Sequence, residues 1–145
     1  KQQKACPVGR NRKIASPCLE KKVKVKTAMV LVDTSVWICH FRYGNPQLKD
    51  LLLNGRVVCH PFIVGELACG NLRNRDEILT LLRSLPMAVT ADHEEILSFI
   101  EMHRLMGEGL GYVDVHLLAS ALLSRIEIWT EDRNLKKAAQ NVISY

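Results

Sequence analysis

The chain has no apolar run approaching the ~18 consecutive residues that a membrane-spanning helix needs, although 48% of its 145 residues are hydrophobic. It has no C-x-x-C pair, and its five cysteines (Cys6, Cys18, Cys39, Cys59, Cys69) are odd in number and lie partly in core-like segments. Neither a disulfide framework nor a zinc site fits that pattern. Internal repeats are lacking, and so is the apolar central stretch of a secretory signal. What these absences leave is one domain's length of globular chain, expected in a reducing cytoplasm and away from membranes. Such a length buries about two-thirds of its unfolded surface.

The net charge of +5 divides unevenly. Residues 1–28 carry nine Lys or Arg against one acid, Glu20, whereas residues 29–145 carry eleven basic and fourteen acidic residues. A basic sum ordinarily points to nucleic acid, but here it belongs to the extension alone. That extension has no hydrophobic period, carries Pro7, Gly9 and Pro17, and closes on the run from Lys21 to Lys26; it reads as a flexible basic segment. Met29, directly before the first apolar run, is a candidate natural start, with residues 29–145 as the folded domain.

From Met29 the pattern alternates strand and helix. Residues 29–33 suit a buried parallel strand. Helical patterns follow at 34–41 and 47–53, the second with Leu48, Leu51 and Leu52 on one face and Gly55 as its stop. Residues 56–60 form the next strand, and Pro61 suits the first turn of the helix that carries Glu66. Helical spacing recurs at 76–85 (Ile78, Leu79, Leu82, Leu85) and at 92–106 (Ile96, Leu97, Ile100, Leu105). Residues 87–90 between them are a candidate third strand. A glycine-punctuated loop leads to a helix opened by Asp114, then a strand at 126–130 and a last helix from Asp132 to about Gln140. This order predicts an α/β sandwich around a central parallel sheet.

Four carboxylates punctuate these elements: Asp33, Glu66, Asp114 and Asp132. In an open parallel sheet the carboxyl ends of the strands form the edge where ligands collect, so acids distant in the chain are expected to meet there. Each has a plainer reading. Asp33, Asp114 and Asp132 stand where a helix N-cap is wanted, and Glu66 could lie on a solvated face. Together, however, four acids at one sheet edge repel one another unless a cation holds them. An all-oxygen donor set without His or Cys suits Mg²⁺ or Mn²⁺. A cation held this way can neutralise a phosphodiester and activate a bound water.

The segments Met29-Val-Leu-Val-Asp-Thr-Ser-Val-Trp-Ile38, Pro61-Phe-Ile-Val-Gly-Glu-Leu-Ala68, Gly111-Tyr-Val-Asp-Val-His-Leu-Leu-Ala-Ser120 and Trp129-Thr-Glu-Asp-Arg-Asn-Leu135 resemble the PIN-domain ribonucleases, specifically the VapC-type toxins of toxin–antitoxin pairs. The resemblance runs from Met29 to Tyr145. It implies a PIN-like three-layer α/β/α sandwich, Mg²⁺- or Mn²⁺-dependent endoribonuclease activity on RNA, a homodimer, and inhibition by a VapB-like antitoxin. It also implies roles for particular residues. Asp33, Glu66 and Asp114 match the principal catalytic and metal-binding acids, and Asp132 matches a more variable fourth. Thr34, Ser35 and Thr130 match hydroxyls that support the acids, with helix capping as their alternative. His116, two residues past Asp114, reads as a packing residue, and Tyr112 stands where related sequences often carry Trp.

Rival folds fail on single residues. A haloacid-dehalogenase-type phosphatase needs a second acid two residues after the first, where Ser35 stands. A receiver domain needs an adjacent acid pair after its first strand and a Lys near the end of a late one. Two alternatives of function stay open at this level: an RNA-processing PIN nuclease without an antitoxin, and a non-catalytic RNA-binding module.

Overall fold

The computed structural model describes residues 28–143. The basic segment, apart from Ala28, lies outside the described residues, as do Cys6 and Cys18. Three short strands, β1 (Val30–Val32), β2 (Val57–Val58) and β3 (Glu127–Trp129), form a parallel sheet in the order β2-β1-β3. The register sets Val30 against both Val57 and Glu127, and Val32 against Trp129. Among the described residues seven helices surround the sheet: α1 (Thr34–Tyr43), α2 (Pro46–Leu53), α3 (Pro61–Cys69), α4 (Arg75–Ser84), α5 (His93–His103), α6 (Tyr112–Ser124) and α7 (Arg133–Val142). This is the α/β arrangement that the alternating pattern predicts.

The central strand is buried throughout, which is why its three residues are all aliphatic. Leu31 and Val32 have no exposed surface and pack with Val36, Leu48, Ile63, Leu117, Leu118 and Leu135 from both sides of the sheet. Turn chemistry delimits the helices. Asn45 accepts from the Leu48 N–H at the start of α2, Pro46 and Pro61 occupy first turns, and Asp92 forms a capping box with Glu95 on α5. Gly44 and Gly55, at φ 74° and 63°, close α1 and α2.

Four expectations need correction. Residues 87–90 do not form a strand: Met87 makes one parallel bridge to Cys59, and then the Val89 N–H turns away to the Ser124 hydroxyl at 2.9 Å. On the β2 side the Ala88 N–H still donates to the Cys59 carbonyl at 2.9 Å, but the next rung would need an N–H from residue 61, and Pro61, which opens α3, has none. Asp114 does not open α6; that helix begins at Tyr112, with Gly111 as its N-cap. Leu97, assigned to an inward face, is 43% exposed, while Ile96 beside it is fully buried. The helix α5 also stops at His103, because Arg104 adopts a left-handed conformation. Among the described residues no helix is long and apolar enough to cross a membrane.

Candidate active site

The carboxyl ends of β1 and β3 stand side by side, and a web of hydroxyl bonds joins them. The Asp33 N–H extends the ladder to the Trp129 carbonyl at 2.9 Å, after which Asp33 caps α1. Its Oδ2 accepts from the Ser35 hydroxyl at 2.6 Å, the Thr130 hydroxyl at 2.8 Å and, more weakly, the Ser35 N–H at 3.4 Å. Each hydroxyl also accepts a backbone N–H: Ser35 that of Glu131, and Thr130 that of Asp132, both at 3.0 Å. With all three bonds on Oδ2, Oδ1 of this buried carboxylate is left as the oxygen available to a ligand.

The other acids surround it. Asp132 caps α7, its Oδ1 accepting from the Leu135 N–H at 2.8 Å, so its N-cap reading holds. Asp114 stands at the third position of α6 and reaches back to the Gly111 N–H at 2.8 Å, the acidic half of a capping box. Glu66 lies in the middle of α3, exposed, and its Oε2 accepts from the Thr34 hydroxyl at 2.6 Å. A gradient of exposure results, with Asp33 at the base, Asp114 half-buried above it, and Glu66 and Asp132 at the rim.

The four acids feel one another. Burial raises the Asp114 carboxyl above the ordinary carboxylate value; the Gly111 N–H opposes this, and the charges of Asp33, Asp132 and Glu66 each push it further up. Among the described residues the ion pairs are Arg75–Asp76 and Lys137–Glu108, and neither involves these acids. An uncompensated cluster of hard oxygen donors fits Mg²⁺ or Mn²⁺ in its chemistry. As the side chains stand, no three of the described His, Cys, Asp or Glu residues are spaced to hold one ion. Binding would therefore require the rim acids to swing inward.

His116 packs differently from the acids. It is 4% exposed, neither ring nitrogen has a hydrogen-bond partner among the described residues, and Phe62 and Tyr112 meet it edge-on at 4.5 and 4.6 Å. That environment agrees with the packing reading. Tyr112 itself bonds His93 at 2.7 Å.

His60 is a residue whose part the sequence reading did not assign. It is fully buried and caps the helix that carries Glu66: its Nδ1 accepts the Phe62 N–H at 3.1 Å, which assigns the proton to Nε2, donating to Ser120 Oγ at 3.1 Å. Burial first, and the charge of His116 second, lower its pKa to about 4. The unfolded imidazole titrates near 6.5. Between these two values the unfolded state binds a proton that the folded state refuses, so stability falls as pH drops through that window. The loss should reach on the order of 2–3 kcal/mol near pH 4. Urea melts across pH 4 to 7 should show this loss in the wild-type chain and a smaller one in His60→Gln; equal losses would remove His60 as the cause.

Comparison with known proteins agrees with this geometry. The PIN domain family model matches residues 30–141. Ribonuclease VapC32 of Mycobacterium tuberculosis (strains CDC 1551 / Oshkosh and H37Rv) is 44% identical over 111 residues, covering 76% of this chain and 90% of the relative. Ribonuclease VapC1 of Methanocaldococcus jannaschii is 24% identical over 118 residues, covering 79% of this chain and 84% of that protein. With the family model spanning all three strands and all but the end of the last helix, the chain belongs to the PIN domain family.

Proposed function

We propose that this protein is a Mg²⁺- or Mn²⁺-dependent endoribonuclease and the toxin of a VapBC-type pair. The observation that carries the reading is the Asp33 carboxylate, fixed through Oδ2 by Ser35 and Thr130 and surrounded by three more acids without a basic partner among the described residues. A non-catalytic module has no physical reason to keep such mutual repulsion. The 44% identity to a ribonuclease named VapC favours the toxin over a processing nuclease.

Asp33, Glu66, Asp114 and Asp132 would hold the cation, which when bound neutralises phosphodiester charge and lowers the pKa of water. The chain's own contribution is placement. Ser35 and Thr130 aim Asp33 and tie the β1 end to the β3 end, so one hydroxyl web orients acids from both strands. The Thr34 hydroxyl donates to Glu66 and ties that acid to the start of α1. Asp114, whose carboxyl burial raises above the ordinary carboxylate value, is the acid proposed to accept a proton from the attacking water. Hydrolysis then exchanges one P–O ester bond for a P–O bond from that water, and the leaving oxygen takes up a proton.

A VapB-like antitoxin is the proposed partner, laying an Arg or Lys into the acidic cluster in competition with the cation. A homodimer is proposed as well. Exposed Leu81 on α4 and Leu97 and Met102 on α5 supply apolar surface for it.

Cation binding is testable without RNA. At a hundred times its Kd, Mn²⁺ should stabilise the full chain by about 2.7 kcal/mol, seen as a rise in Tm that a chelator reverses. Asp114→Asn should melt at or above the metal-free wild type, because a repelling charge is gone, and should lose the Mn²⁺ increment. A full increment in this variant would exclude Asp114 as a ligand.

A further inference from the structure

The acids that would hold the cation also repel RNA, and residues 29–145 are net acidic. The substrate strand therefore needs positive charge placed beside the site, and one cavity supplies it. About 770 Å³ of open space adjoins Glu66, walled by the C-terminal part of α1 and by the chain between α3 and α4. Arg42 and Arg73 line it, both exposed, and neither takes part in the ion pairs of the described residues. Tyr43 lines it too and is 82% exposed, an aromatic ring left in water.

The polar groups of the same wall are uncommitted. Asn74 stands at the N-cap of α4 in a left-handed conformation, yet its side chain makes no capping bond. Asn71 lines the cavity three residues before it. An Asn amide offers both a donor and an acceptor, the equipment for reading a base edge. Two other cavities lack this combination. The one flanking β3 has Trp129, Gln47 and Gln140 but sets a single cation, Lys136, against Glu127 and Glu131, a net negative lining that rejects phosphate, and the one bordered by Trp37, Leu81 and Leu82 is mainly apolar.

We propose that this cavity seats the single-stranded RNA next to the scissile phosphodiester. Arg42 and Arg73 hold backbone phosphates, Tyr43 stacks an unpaired base, and Asn71 and Asn74 read its edge. Arginine suits the first task because its planar fork meets phosphate oxygens in pairs. A solvent-exposed aromatic suits the second, since stacking needs a base free of its duplex. The proposal rests on the ribonuclease reading and adds to it where substrate specificity resides.

The test uses the full chain carrying Asp33→Asn, so that RNA survives, and a fluorescein-labelled mixed-sequence single-stranded 12-mer read by anisotropy over a range of salt. Adding Arg42→Ala with Arg73→Ala should weaken binding at least tenfold and reduce the slope of log K against log salt by about 1.4, from two lost phosphate contacts at ~0.7 each. Arg42→Lys with Arg73→Lys should restore that slope. Tyr43→Ala should weaken binding roughly 5- to 100-fold, while Tyr43→Phe stays within twofold. Arg83→Ala, on α4 but outside the cavity, should bind as its parent does.

Unchanged RNA binding by both the double-Ala and the Tyr43→Ala proteins would overturn the proposal. So would variants that bind and cleave RNA normally but escape a VapB-like antitoxin, which would reassign the cavity to that partner. Cleavage by the chain with its native Asp33 is assayed in parallel. Cleavage together with indifferent cavity variants sinks this proposal alone, whereas no metal-dependent cleavage sinks the ribonuclease reading beneath it.

Discussion

Asn in place of Asp33 is expected to lower metal-dependent RNA cleavage by a factor of about 10²–10⁴, while the folded chain melts within a few degrees of wild type. The side chain keeps its shape, and its carbonyl oxygen can still accept from the Ser35 and Thr130 hydroxyls that now hold Oδ2. Keeping those bonds turns the amide NH₂ toward the place of Oδ1. A donor there cannot ligate a cation, and one of the four negative charges is gone. Stability should not suffer, since removing a charge from a like-charged cluster relieves repulsion. Initial rates on RNA and thermal melts monitored by circular dichroism check the two halves separately. Activity within tenfold of wild type would remove Asp33 from the catalytic machinery, and a collapsed melt would make its role structural.

Leu31→Ala should be the most damaging single change outside the site, destabilising the chain by about 2–5 kcal/mol. Leu31 has no exposed surface, sits in the middle of the central strand, and is paired with Val58 on one side and Ile128 on the other. The space it vacates is enclosed by the close-packed core on its face of the sheet, so collapse to fill it is limited. Domains of this size have a total stability of roughly 5–15 kcal/mol. Chemical denaturation should therefore show a midpoint shift that consumes a large share of it, whereas Leu53→Ala, at a position 78% exposed, should change the midpoint little. The link to function is direct, because Asp33 follows β1 by one residue and inherits its position from that strand. A Leu31→Ala loss below about 1 kcal/mol would contradict the assignment of β1 as the centre of the core.

How much of this was legible in the chain depended on whether the signal was local. The apolar run at β1, Pro61 at the start of α3, and Asp33 and Asp132 as caps are read from neighbouring residues, and they stand where the pattern puts them. The N-cap read at Asp114 was three positions late because Gly111, the true N-cap, has no side chain to announce itself. The strand expected at 87–90 was lost because its partner strand turns into α3 at Pro61, which has no N–H to continue the pairing that Met87 begins with Cys59.

The candidate site followed the same rule. Its acids stood out by type and context, but the web that joins them did not. Ser35 reaches Glu131 across 96 residues, and Thr130 reaches Asp33 across 97. His60 hid for this reason as well, since its partner Ser120 is 60 residues on. Arg42 and Arg73 read singly as solvated charges, and only the fold sets them on one wall beside Glu66.

The most direct test of the account is cleavage of total RNA by the full chain with Mg²⁺ or Mn²⁺, with a chelator in place of the metal, and with Asp33→Asn as a second control. Discrete fragments that form with metal and vanish in both controls are the predicted result. RNA left intact in the presence of cations, by protein whose Mn²⁺-dependent rise in Tm shows the metal bound, would contradict it.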